Sequence, residues 1–329
     1  MAADSRPKSL RDVILKHTSF LVNPLQWTSR HLDLVGCRFE DVTPSPSHVP
    51  PSERSDPRDN GAREIGSDAP GNAASLATNP FPIKKRRSLI NILVNEKRVF
   101  ACPRKGPPFH FQGRPVHQPD YIVFPRRENN IDHIHTSSSP LVGYLHYTSV
   151  NGDRRRLFEP CPGPMGALNA VGANVCQKLL HRIIPKEWTE DPYLICLLLA
   201  LAQSQERKSG FSSQIVFTSC ILVTNVLDRE HLLFYEADVT TEVLDGLKNP
   251  RDSARPIQWP RVRRKAIPYQ PYNTFSSRLL AELMVSDPLQ SYLINSRPKV
   301  NGVMERGRKR RREREENGSH KTRRISSTG

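Results

Sequence analysis

No long apolar run occurs in this chain. The longest, Tyr193–Ala202, is ten residues, half of the roughly 20 that a bilayer-spanning helix needs, so no membrane span is expected. There is no CxxC pair either. The six cysteines, at 37, 102, 161, 176, 196 and 220, are scattered, and Cys196 and Cys220 fall inside apolar runs where a free thiol behaves as a small hydrophobe. The opening stretch, MAADSRPKSLRD, lacks the apolar core of a secretion signal. These features point to a reducing compartment, nucleus or cytoplasm. The motifs of several large enzyme classes are missing as well. The glycines at 163, 166 and 172 precede a helical pattern without GxGxxG spacing or the Gly-Lys-Ser/Thr of a phosphate loop, and no GxSxG nucleophile elbow is present.

Apolar residues are also sparse, at 36% against 29 prolines in 329 residues. That composition supports one ordered domain of roughly 200 residues with unstructured margins. Charge is the feature in excess: the formal net charge is +16, which favours acidic partners. It is unevenly placed. Residues 296–329 hold twelve Lys/Arg against four Asp/Glu, and residues 84–159 hold fourteen against six. Residues 189–250 reverse the sign, with four basic and nine acidic.

That acidic stretch is where the pattern demands a core. Asp191 caps and Pro192 suits the first position of a helix through the ten-residue run, closed by Arg207, Lys208 and Gly210. Ile215–Thr224 is apolar on both faces, as a central strand requires, and Leu232–Val239 pairs with it as a hairpin. Thr240 or Thr241 then caps a short helix ending at Asn249-Pro250. The expected fold is α+β: a small mixed sheet with packed helices, centred on this helix–strand–strand–helix unit at 190–250.

Around that centre the expected organisation has four parts. Residues 1–42 carry a short amphipathic helix, with Leu10, Val13, Ile14 and His17 at helical spacing. Residues 43–80, rich in Pro, Ser, Asp and Gly, read as a disordered linker; 81–295 form the α+β domain; 296–329 are a disordered basic tail. Within the domain, SLINILVNEKRVFACP reads as two short strands, and DYIVFP as another. YLHYTSVNGDRRRLFEP reads as a hairpin turning at Asn151-Gly152. GALNAVGANVCQKLLHRII is helical with Leu168, Val171, Val175, Leu179 and Ile183 near one face. A last helix opens at Thr274.

The blocks DPYLICLLLALAQ, ILVTNVLDREHLLFYEADVTTEVLDGL and QWPRVRRKAIPYQPYNTFSSRLLAEL, spanning about residues 191–285, resemble a group of uncharacterised fungal proteins without assigned activity. The resemblance implies a real domain and supplies no catalytic residues.

Candidate functional residues follow from charge and spacing. Glu236 and Asp238 share one strand face about 7 Å apart, as a metal-dependent nuclease would place two carboxylates. The Lys of the restriction-endonuclease Glu-x-Lys is replaced by Asp238 itself, and solvation and capping explain the pair more simply. His133 and His135 alternate on a strand without a third ligand at metal spacing. No catalytic set, metal or cofactor is therefore expected. Trp259, Arg261, Arg263, Lys265 and Tyr269 interleave cations with rings, the pattern that holds single-stranded nucleic acid. Lys84, Lys85, Arg86 and Arg87, and Arg308, Lys309, Arg310, Arg311 and Arg312, match the charge density of nuclear import signals and imply an import receptor. Ser326 in RRIS resembles a basophilic-kinase site. The leading expectation is a non-enzymatic nuclear protein with a protein partner; sequence-tolerant nucleic-acid binding is the alternative.

Overall fold

A computed structural model of the protein describes residues 9–43, 69–94, 99–127, 141–209 and 215–285. In chain order these form α1 (Leu10–Lys16), α2 (Ser29–Val35), β1 (Arg38–Asp41), α3 (Ala69–Thr78), α4 (Pro82–Leu93), β2 (Arg104–Lys105), β3 (Phe109–Phe111), β4 (Arg114–His117), β5 (Ile122–Phe124) and β6 (Leu141–His146). There follow α5 (Thr148–Leu157), α6 (Ala170–Ile183), α7 (Tyr193–Ser209), β7 (Val216–Thr224), β8 (His231–Thr240), α8 (Thr241–Lys248), β9 (Arg261–Pro268) and α9 (Tyr272–Val285).

Seven strands make one mixed sheet in the order β1-β9-β8-β7-β6-β5-β2. β6 runs parallel to β7, and β1 parallel to β9; the other neighbours are antiparallel. β3 and β4 form a separate hairpin through Gln112 and Gly113, both at positive φ, as a tight two-residue turn requires. One sheet face packs residues from α1, α2, α5, α7 and α8, and the other packs α3, α4 and α9. Cover on both faces explains why β6, β7 and β8 are apolar runs rather than alternations.

The expected centre forms as read. Asp191 Oδ1 accepts from the Tyr193 amide at 2.9 Å, and every residue from Tyr193 to Gln203 is buried. Burial of each large apolar side chain there contributes about 1.5–3 kcal/mol. Gly143 on β6 lets α7 sit close: a Cβ added to it would lie 3.3 Å from Leu201. β7 and β8 pair from Val216↔Thr240 to Val223↔Leu233, and Thr240 Oγ1 caps α8 by accepting from the Val243 amide at 3.4 Å.

Four expectations need correction. The stretch read as two strands opens with the second half of α4, a helix with Pro82 in its first turn and Ser88, Leu89, Ile92 and Leu93 buried at helical spacing; the i, i+3, i+4 pattern outweighed the β-branched content. Residues 95–98, the expected turn, lie outside the described residues. The expected hairpin at Asn151-Gly152 is strand β6 followed by α5. β6 takes β5 and β7 as its neighbours, while Val150 and Arg154 bury one side of a helix that runs through Asn151 and Gly152. The expected linker ends in α3, whose Ala73, Leu76 and Ala77 are fully buried; small residues let α3 pack close to α4. Finally, residues 9–41, expected as an amphipathic helix and a loop, also supply a strand to the sheet. Leu10 and Val13 of α1 are buried, and β1 extends the sheet beside β9, where Arg264 grips Asp41 through Nε–Oδ1 (2.6 Å) and Nη2–Oδ2 (2.9 Å) contacts.

Candidate interaction surface

The two carboxylates of β8 are already occupied. Glu236 sits opposite Arg263 across the β8–β9 pair, and the guanidinium bonds Glu236 Oε1 through Nε at 3.0 Å and through Nη2, and Asp238 Oδ2 at 2.9 Å. Asp238 Oδ1 also accepts from Thr218 Oγ1 at 2.8 Å. Burial pulls the Arg263 pKa down, but Glu236 and Asp238 more than offset this and hold it above its ordinary value. An arginine stands where a nuclease would hold its divalent ion. Among the described residues there is no group of three or more His, Cys, Asp or Glu side chains suited to a metal; His133 and His135 lie outside them.

The cations of the Trp259–Tyr269 strip keep their expected face and are paired within the fold. Arg261, Arg263 and Lys265 alternate along β9, and each has an acidic partner in the fold. Arg261 bonds Glu40 at 2.9 Å, Arg263 the β8 pair, and Lys265 Nζ bonds Glu282 of α9 at 2.9 Å beside the Phe234 ring. Trp259 and Tyr269 are buried in opposite cores, and Tyr272 packs against the second of them. Trp259 and Tyr269 offer no stacking face, because they close the cores on either side of the sheet, and Tyr272 is half-buried.

Of the first basic run, Lys84, Arg86 and Arg87 are exposed on α4. Lys85 is only 1% exposed. Its ammonium donates to the Ala77 carbonyl at 2.9 Å and to that of Leu76, satisfying the C-terminal end of α3 as a cap would. Burial lowers its pKa to about 8. The run is thus partly a helix-capping device. Arg308–Arg312 and Ser326 lie outside the described residues.

Two features were not singled out from the sequence. The first is a buried ion pair: Arg154 of α5 bonds Asp191 bidentately, Nη1–Oδ2 at 2.6 Å and Nη2–Oδ1 at 2.8 Å, and donates from Nε to the Leu25 carbonyl at 2.8 Å. Tyr147 also donates to Asp191 at 2.6 Å. The cap of α7 therefore doubles as the lock between α5, α7 and the N-terminal segment. A lone arginine in RRR gives no sign of this.

The second is the outer surface beyond that lock. α6 lies beside α5 and buries none of its residues. Asn169 caps it, accepting from the Gly172 amide at 2.7 Å and donating to the Cys161 carbonyl at 3.0 Å. The apolar face expected to pack is split. Leu179 and Ile183 are half-buried, whereas Leu168, Val171 and Val175 are 89%, 75% and 51% exposed. Met165, in the turn before the helix, is wholly exposed. Isolated exposed hydrophobes are ordinary, but neighbouring ones, here two a helical turn apart on α6 and two just before it, mark a contact surface. No helix of the described residues is long and apolar enough to cross a membrane. The chain matches no family model, no curated protein and no solved structure.

Proposed function

We propose that this chain is a nuclear, non-enzymatic interaction protein whose α+β core presents α6 to a protein partner, with basic segments that engage an import receptor. The observation that carries the docking role is the exposure of Val171 and Val175 on a capped helix, with Leu168 exposed just before the cap. The arginines that favoured nucleic-acid contact are internally paired, which leaves the protein surface as the better-supported reading. The tagged full chain, purified from its native cell with nuclease treatment in one arm, tests the proposal. Partners that survive nuclease and are lost with Val171→Asp plus Val175→Asp support docking; partners that vanish with nuclease support a nucleic-acid tether instead. For import, deletion of residues 306–329 combined with Lys84→Ala, Arg86→Ala and Arg87→Ala removes the cations of both runs and spares the capping Lys85. Loss of nuclear accumulation is expected, and unchanged localisation overturns the targeting role.

A further inference from the structure

On α6, positions 171, 175, 178 and 182 are spaced by four, three and four residues, so they follow one seam along the helix surface, and Leu168 comes just before the Asn169 cap. All five are exposed. The seam changes character halfway: Val171 and Val175, like Leu168 before them, are apolar, and Lys178 and Arg182 are cationic. No acidic residue occurs from 160 to 186, so nothing in that stretch neutralises the cationic half. Arg182 lies in the last turn of α6 and is accounted for in part by the helix's own dipole. Lys178, a turn further in, is not.

Seam chemistry disfavours a second α6 in full overlap as occupant. Packed parallel, two α6 helices would set Lys178 and Arg182 against themselves. Packed antiparallel, each would place the valines of one copy over the cations of the other and strand both. The complement is a helix with apolar residues over Val171 and Val175 and carboxylates over Lys178 and Arg182. Carboxylates are favoured in a helix's first turns, where the macrodipole is positive. Their placement beside the C-terminal half of α6 sets the direction. We infer that the α6 seam binds a partner helix that is acidic in its first turns and apolar after them, running antiparallel to α6. This rests on the docking function proposed above and specifies the partner's chemistry.

Selection of a displayed library of helical peptides against the immobilised full chain tests the inference. Enriched sequences should carry Asp or Glu in the first two turns, followed by Leu, Ile or Val at spacings of three and four. Lys178→Glu with Arg182→Glu should weaken a selected peptide at least tenfold in low salt, and added salt should narrow that gap. Enrichment of peptides without acidic residues, indifference to the charge reversal, or no enrichment over bare support would overturn it. So would concentration-dependent self-association abolished by Val175→Asp. The native partners separate the two ideas. If the valine variants release them and the charge reversal does not, docking stands and the acidic helix falls; if the valine variants retain them, docking itself falls.

Discussion

α6 and α7 follow one another along the chain, are both rich in apolar residues, and have opposite fates. α7 is apolar around its whole circumference from Tyr193 to Ala202 and is buried on every side. α6 buries nothing fully. Apolar content alone does not separate them; placement and anchorage do. α7 begins at Asp191, which a buried arginine, a tyrosine hydroxyl and its own backbone all hold. α6 begins at Asn169, whose cap bonds are local. One helix is scaffold, and the other is displayed by it.

The contrast breaks most visibly at the anchor. Asp191→Ala leaves Arg154 and Tyr147 without their shared acceptor in a dry site, and should cost about 3–5 kcal/mol in urea unfolding. Arg154→Met with Asp191→Leu should recover part of that loss, since it removes both charges together. Within the helices, Leu198→Ala in α7 opens a cavity in a fully packed site and should cost about 2–5 kcal/mol.

Acid offers a graded test of the buried side. His146 ends β6 with Nδ1 2.8 Å from Thr224 Oγ1, which also meets the Tyr144 hydroxyl at 2.9 Å. Burial, aided by the charge of Lys85, pushes the imidazole down from 6.5 to about 4. Because the folded pKa is depressed, the unfolded chain takes up the proton first. Stability is full above about pH 6.5 and should fall by about 3 kcal/mol as the pH drops to about 4. His146→Gln should flatten that part of the profile. The smallest effect belongs to the displayed helix: Val171→Asp and Val175→Asp should each change stability by no more than about 0.5 kcal/mol, while altering what the protein binds.

The helix–strand–strand–helix centre was legible because Asp191-Pro192, Thr240 and the unbroken apolar runs each state their structure locally. The α+β class follows from them. What misled was local signal overruled at a distance. Asn151-Gly152 carries the usual turn chemistry, but Val150 and Arg154 bury the helix through it, and Arg154 finds Asp191 across 37 residues. Leu89, Ile92 and Leu93 form a face only once α3 and the sheet lie beneath them. The candidate sites fared the same way. Arg261, Arg263 and Lys265 do share a side of one strand, yet their counter-ions Glu40, Glu236, Asp238 and Glu282 come from other parts of the chain. The exposed stripe was written in Val171 and Val175 of α6 and in Leu168 before it, but the sequence does not distinguish an apolar face that packs from one that waits.

Hydrogen exchange measured on the full chain, alone and bound to its nuclease-resistant partners, compares the two helices directly. Partner-dependent slowing of exchange confined to about residues 168–182, with α7 unchanged in both states, is the predicted result. Slowing confined to the β9 edge or α4, with α6 exchanging identically in both states, would contradict a docking role for α6.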